Sequence, residues 1–219
     1  MQSINDQTIG FVGLGLMGRP MCRNLLSTGA KLIVANRSPQ PCKDMAEAGA
    51  TSVASPAEMA SLANVIIIMV ADTPAVQSVL LGDNGLIHSL QKNSLVIDMG
   101  TSSVTATYHF GEMVEKKHGH YVDAPVSGGT IGAESGNLTI MAGGTETAFA
   151  KALPILKVLG DHITHVGATG AGQVAKAAKQ VIVGLNIGAV AEAFALAKAA
   201  GVQPAKVREA LQGGFADSR

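Results

Sequence analysis

The chain has 219 residues, 47% of them hydrophobic, with 16 Lys+Arg balanced by 16 Asp+Glu. That is enough for one large domain, or one domain and part of another, with apolar surface for a real core. The neutral charge, 3% aromatics and absence of Trp leave neither the electrostatic attraction nor the stacking platforms of a nucleic-acid binder, and no basic surface for an anionic membrane.

Strand-like and helix-like stretches alternate through the first three quarters of the chain. Thr8-Ile9-Gly10-Phe11-Val12 reads as a strand, followed by a Gly-rich turn and a helix from about Met17 to Thr28. Lys31 to Ala35 is a second strand. Ser55-Pro56-Ala57-Glu58 is a helix start: a capping serine, a proline at the first helical position and a glutamate placed to close a capping box. The apolar run beginning at Val65 and ending at Val70 suits a strand buried on both faces of a parallel sheet and is too short to cross a bilayer. Thr73-Pro74 opens another helix. Leu95 to Asp98, Tyr121 to Asp123 and Leu138 to Ala142 are further strands. This alternation predicts an α/β fold, a Rossmann-type doubly wound, mostly parallel sheet.

The pattern changes at Gly167. Residues 167–172 read as a flexible glycine-rich connector, followed by an Ala-rich helix from about Gln173 to Ala200, stopped by Gly201, and a second helix from Pro204 to Gln212. The expected domains are therefore 1–167, dinucleotide-binding, and 168–219, the start of an all-α substrate or dimerisation domain. Val181, Ile182, Val183, Leu185, Ile187, Val190, Phe194 and Leu196 lie around most of the long helix. That distribution predicts burial between domains or subunits of a homo-oligomer. Asn186, Glu192 and Lys198 interrupt the run, which argues against a membrane span. Two cysteines and a polar stretch from Met1 to Gln7 point to a reducing, cytoplasmic setting.

The strongest chemical signal is Gly13-Leu14-Gly15-Leu16-Met17-Gly18, which follows a strand and opens a helix. Gly13 permits the tight turn, Gly15 lets a pyrophosphate approach the backbone, and Gly18 lets helix and strand pack closely. The helix N-terminus, with Leu16 and Met17 in its entry, offers N–H groups and a positive dipole to the phosphates. After the second strand stands Asn36-Arg37-Ser38, with no acidic residue for a free ribose hydroxyl. Arg37, helped by Asn36 and Ser38, suits a 2′-phosphate and predicts NADP(H) over NAD(H). Asp123 to Gly129 follows a strand end, where ligands of such sheets bind. Ser127 with the amides of Gly128 and Gly129 suits a substrate carboxylate. Lys176 lies early in the long helix, with Gln180 four residues on. A lysine in a partly apolar cleft can exchange a proton with a carbonyl or hydroxyl oxygen. The six histidines are scattered, with no metal-binding spacing.

Together these stations resemble the β-hydroxyacid dehydrogenase family. They are Gly10 to Gly18, Ile97-Asp98-Met99-Gly100-Thr101, Asp123 to Gly129, and Gly170-Ala171-Gly172-Gln173-Val174-Ala175-Lys176. The resemblance implies hydride transfer between NADP(H) and a small 3-hydroxy acid or its semialdehyde. It places Thr101 near nicotinamide and substrate, makes Ser127, Gly128 and Gly129 substrate-binding, and makes Lys176 the acid/base. The foremost expected substrates are 2-hydroxy-3-oxopropionate and 3-hydroxyisobutyrate, with glyoxylate or succinic semialdehyde as alternatives. A non-catalytic dinucleotide-binding dimerisation module is the reading from another class. Gly100 stands where many members have serine. Lys179 and Gln180 stand where many have asparagine, Gln180 resembling the tartronate semialdehyde reductase branch. In the family the helical domain continues beyond the point matching Arg219 and supplies a further Lys-Asp substrate clamp.

Overall fold

The computed structural model describes residues 4–5, 7–214 and 216; Arg219 and part of the polar stretch before Gln7 lie outside the described residues. The chain divides into two compact units, Met1–Lys176 and Ala177–Arg219.

In the first unit, six parallel strands follow one another through helices: β1 Thr8–Val12, β2 Lys31–Ala35, β3 Thr51–Ser52, β4 Val65–Ile68, β5 Leu95–Asp98 and β6 His120–Asp123. Their spatial order is β3-β2-β1-β4-β5-β6, the 3-2-1-4-5-6 order of a dinucleotide-binding sheet. The sheet then continues with β7 Val126–Ser127, β8 Thr139–Gly143 and β9 His162–Gly167. β8 runs antiparallel to β6 and β7 and parallel to β9. The predicted mostly parallel, doubly wound sheet is thus the observed one, with an antiparallel reversal after β6.

Helices cover both faces. α1 Gly18–Ser27, α2 Pro39–Glu47, α6 Gly129–Ser135 and α7 Glu146–Leu159 send Met21, Leu25, Met45, Ala133 and Leu156 into one cluster with Ile9, Phe11 and Ile67. α3 Pro56–Leu62, α4 Thr73–Leu81 and α5 Val104–Lys116 send Met59, Leu80 and Phe110 into a second cluster with Ile66, Ile68 and Val96. Neighbours along β4 point to opposite faces, and both faces are buried, so the strand reads as an unbroken apolar run. The cap predicted at Ser55 is present, its side chain accepting the Glu58 N–H at 3.1 Å. The Glu58 carboxylate reaches one residue further back than a capping box requires, to the Ala54 N–H at 2.8 Å.

The glycine-rich connector is not slack. Gly167 ends β9, and the Gly170 N–H donates to the Asp123 carboxylate at 2.7 Å. α8, Ala171–Ala199, accordingly starts two residues before the expected Gln173. A buried acceptor supplies what the free N–H groups of a helix start require.

In the second unit, α8 continues and α9, Pro204–Leu211, follows. Among the described residues nothing buries the long helix: Val181, Ile182, Leu185, Ile187, Val190 and Leu196 are exposed. Among the described residues of this unit only the 8-residue α9 follows it, too little to cover a helix apolar on most sides. By length and composition α8 also satisfies the requirement for crossing a membrane.

The carboxyl ends of β5 and β6 each carry a buried carboxyl group, Asp98 and Asp123. Asp98 is fully buried. It accepts the Gly100 N–H at 3.0 Å, the Tyr121 hydroxyl at 3.1 Å and the Ser102 hydroxyl at 3.4 Å. Burial, aided by the neighbouring charge of Asp123, pushes the Asp98 carboxyl up to about 7, against the lowering effect of those three donors. Its protonated form is therefore favoured by folding. Asp98 lowers stability progressively as pH rises from about 4 to about 7, and not further above that. The displacement corresponds to roughly 4 kcal/mol at most. In urea unfolding followed by circular dichroism, Asp98→Asn should gain on the wild type by about 2–4 kcal/mol between pH 4.5 and pH 8. A difference between the two proteins that does not change with pH would refute this.

Candidate active site

The turn between β1 and α1 is shaped by its first and last glycines. Gly13 has φ +101°, in the left-handed region, and a Cβ there would strike the Met69 carbonyl oxygen. A Cβ at Gly18 would strike the carbonyl oxygen of Gly13, so helix and turn touch backbone to backbone. Gly15 is the opposite case: a Cβ there meets nothing within 4 Å. The space over the middle of the turn is open, and no side chain caps the start of α1 at Met17. Leu16 beside it is exposed and Met17 half-buried. Such a cradle, closed beneath and open above at a helix N-terminus, fits a pyrophosphate.

Asn36 has a structural task that the sequence did not announce. Its Oδ1 accepts the Leu14 N–H at 3.0 Å, and its Nδ2 donates to the Ser38 carbonyl at 3.0 Å. Its amide is a strut between the phosphate turn and the loop after β2, using one Oδ1 lone pair and one of the two Nδ2 hydrogens. Arg37 and Ser38 are exposed. Ser38 stands at the N-cap of α2 with its hydroxyl uncommitted to the helix, which leaves an arginine, a hydroxyl and a helix N-terminus together at the end of β2.

At the other side of the sheet's carboxyl edge, the ends of β5 and β6 meet the first turn of α8. Asp123 is buried, and its carboxylate accepts the Gly170 N–H at 2.7 Å and the Gln173 N–H at 2.9 Å. Burial raises its proton affinity, while these backbone donors work the other way. Gly172 permits the approach, because a Cβ there would strike the Met141 carbonyl and lie 2.8 Å from an Asp123 carboxylate oxygen. One turn on, Lys176 is half-buried and its Nζ donates to the Val126 carbonyl at 2.6 Å. The next residue is Ser127, half-buried, followed by exposed Gly128 and Gly129 with φ +133° and +61°. Thr101 is exposed on the turn after β5. Thus Lys176 is brought to the segment that carries Ser127, with Thr101 on the turn after β5. Gln180 belongs to the second unit and is exposed, its Oε1 accepting from Lys179 Nζ at 3.3 Å.

The parts that sequence reasoning did not find are Asp123 as a helix cap, Gln173 as a side-chain bridge and Asn36 as a strut. Asp123 meets its partners 47 and 50 residues away, and no local pattern announces that.

The glycine geometry separates binding from stability. Gly15→Ala should keep stability within about 0.5 kcal/mol but weaken dinucleotide binding at least about tenfold, because the added methyl occupies the open cradle. Gly18→Ala should cost about 1–3 kcal/mol through overlap with the Gly13 carbonyl. Urea denaturation and NADPH fluorescence titration of both variants check this. Equal loss of binding and stability at Gly15 would count against the cradle.

Residues 8–167 match the family model of the NAD-binding domain of 6-phosphogluconate dehydrogenase. Residues 170–219 match that of the NAD-binding region of NADP-dependent 3-hydroxyisobutyrate dehydrogenase. The chain is 45% identical over 211 residues to 2-hydroxy-3-oxopropionate reductase of Escherichia coli, covering 96% of this chain and 72% of that protein. It is 39% identical over 196 residues to the mitochondrial 3-hydroxyisobutyrate dehydrogenase of Mus musculus, covering 90% of this chain and 58% of that one. Among solved structures, Mycobacterium tuberculosis 3-hydroxyisobutyrate dehydrogenase with L-serine superposes with a TM-score of 0.90 at 31% identity, over 97% of this chain and 72% of that one. The chain belongs to the 3-hydroxyisobutyrate dehydrogenase family of NAD(P)-binding oxidoreductases.

Proposed function

We propose that the protein reduces a small semialdehyde carrying a carboxylate, or oxidises the matching 3-hydroxy acid, with 2-hydroxy-3-oxopropionate the first candidate substrate and 3-hydroxyisobutyrate the second. The observation that carries this reading is the Lys176 ammonium held at 2.6 Å from the Val126 carbonyl, beside Ser127. The 45% identity to a 2-hydroxy-3-oxopropionate reductase orders the candidates. Glyoxylate and succinic semialdehyde are the alternatives; a non-catalytic module would not need a lysine held in this way.

Gly13, Gly15, Leu16, Met17 and Gly18 hold the pyrophosphate, and Arg37 and Ser38 the 2′-phosphate, of NADP(H). When bound, the nicotinamide supplies or accepts the hydride at the substrate's carbonyl carbon. Ser127, Gly128 and Gly129 orient the substrate carboxylate, and Thr101 contacts substrate and nicotinamide. Lys176 donates a proton to the carbonyl oxygen on reduction and removes it from the hydroxyl on oxidation. Gln180 is assigned to substrate on the resemblance alone. Residues 1–167 act as the nucleotide-binding domain, and 168–219 as the opening of a helical domain through which the protein forms a homo-oligomer. The exposed apolar residues of α8 support that oligomer and sedimentation of the full chain tests it. A soluble, cytoplasmic enzyme is the setting that fits.

Two measurements test the reading. Lys176→Ala in the full chain should lower turnover at least about a hundredfold with nearly unchanged NADPH affinity; retention of most turnover would make Lys176 an ordinary helix lysine. Arg37→Ala should weaken NADPH binding by about ten- to a hundredfold, equivalent to roughly 1.5–3 kcal/mol, and leave NADH binding little changed. Calorimetric titration showing NADH bound by the wild type as tightly as NADPH would sink the NADP(H) preference.

A further inference from the structure

Gln173 occupies a singular position among the residues around Lys176. Its side chain is only 2% exposed, and both ends of its amide are engaged. Oε1 accepts the Ser102 N–H at 3.1 Å, and Nε2 donates to the Gly100 carbonyl at 2.9 Å. Those two peptide groups flank Thr101, so the amide spans that residue's backbone while leaving its side chain exposed. The backbone N–H of Gln173 is held by Asp123 at 2.9 Å, and Asp123 begins the segment that leads to Ser127. Lys176 follows one helical turn later, bonded to Val126 within that same segment. One residue therefore joins the turn after β5, the segment after β6 and the lysine-bearing turn of α8. These are the ends of strands where ligands of such sheets bind.

We propose that Gln173 is a positioning residue, which fixes the Thr101 turn in register with Lys176 so that groups from two strand ends and one helix address a single reacting centre. The proposal rests on Lys176 being the acid/base. Its physical basis is orientation: displacement of a positioning element by about 1 Å can reduce turnover on the order of a hundredfold. A glutamine does this where an apolar residue of the same length cannot, because it presents a donor to a carbonyl and an acceptor to an N–H at once.

The test compares Gln173→Met and Gln173→Glu in the full chain. Methionine keeps the length and removes both hydrogen bonds. It should lower kcat about ten- to a hundredfold and leave NADPH affinity within about twofold, since residues 13–18 and 37–38 lie elsewhere. In the free protein it should also speed amide hydrogen exchange at Ser102, with β1 and β4 still protected. Glutamate mimics glutamine only when protonated, donating to Gly100 and accepting from Ser102. Its activity relative to wild type should therefore fall as pH rises, with Ser102 protection falling in parallel. Around it, the carboxylates of Asp98 and Asp123 oppose its ionisation, the Tyr121 hydroxyl stays neutral with its proton given to Asp98, and the Lys176 ammonium one turn on favours it. Unchanged Ser102 exchange in Gln173→Met would overturn the clamp whatever the enzyme's reaction. Faster exchange with wild-type kcat would overturn the positioning role. Uniform loss of protection in both variants would make Gln173 an ordinary core residue. Failure of the lysine assignment shows separately, as turnover retained by Lys176→Ala.

Discussion

The candidate site depends on one buried carboxylate. Asp123 ends β6 and faces the first turn of α8, where the N–H groups of a helix have no partners of their own. By accepting two of them, from Gly170 and Gln173, it fixes where the helix starts and hence where Lys176 stands one turn later. The arrangement is mutual. An isolated carboxylate is costly to bury, and the helix start supplies both hydrogen bonds and a favourable dipole. Gly172 follows from the same constraint, since a Cβ there would lie 2.8 Å from an Asp123 carboxylate oxygen and overlap the Met141 carbonyl.

The two halves of the site are built on different physics. The phosphate side is mostly backbone: two glycines that bring the turn against its neighbours, a third left open, and a helix with no side-chain cap. A side-chain strut, Asn36, ties the turn to the loop bearing Arg37 and Ser38, so the two loops are set relative to each other by the protein itself. The side around Lys176 is a network built on side chains, Asp98 with Tyr121 and Ser102, then Gln173 and Asp123, buried among apolar strands. In a low-dielectric setting such a network is stiff when all its members are paired, which suits groups that must keep a fixed geometry.

That difference explains how much could be read from the sequence. Backbone-built features leave local signatures: Gly13, Gly15 and Gly18 at fixed spacing between a strand and a helix, and an unbroken apolar run at β4. Ser55 was legible as a cap because its partner is three residues away. The links of the network that join different elements span 23 to 73 positions, and no periodicity encodes such pairings. Asp123 and Gln173 were visible only as letters within a resemblance. β3 and β7, of two residues each, are too short to show a period. β9 alternates exposed and half-buried residues and lacks the apolar run of an interior strand. The long helix was legible as apolar, but what covers it could not be read from its own pattern, and its exposure within this chain marks the limit of arguing burial from periodicity.

The placement of Lys176 follows from the same chain of contacts. Asp123 holds the N–H of Gln173 in the first turn of α8, and one turn later the Lys176 Nζ donates to the Val126 carbonyl at 2.6 Å. The segment after β6 is therefore tied to the helix twice, at its first residue through a carboxylate and three residues on through a backbone carbonyl. Either tie alone would leave the helix start free to turn about it. Two ties on successive turns of one helix fix both its position and its rotation, and so the direction in which the lysine side chain leaves it.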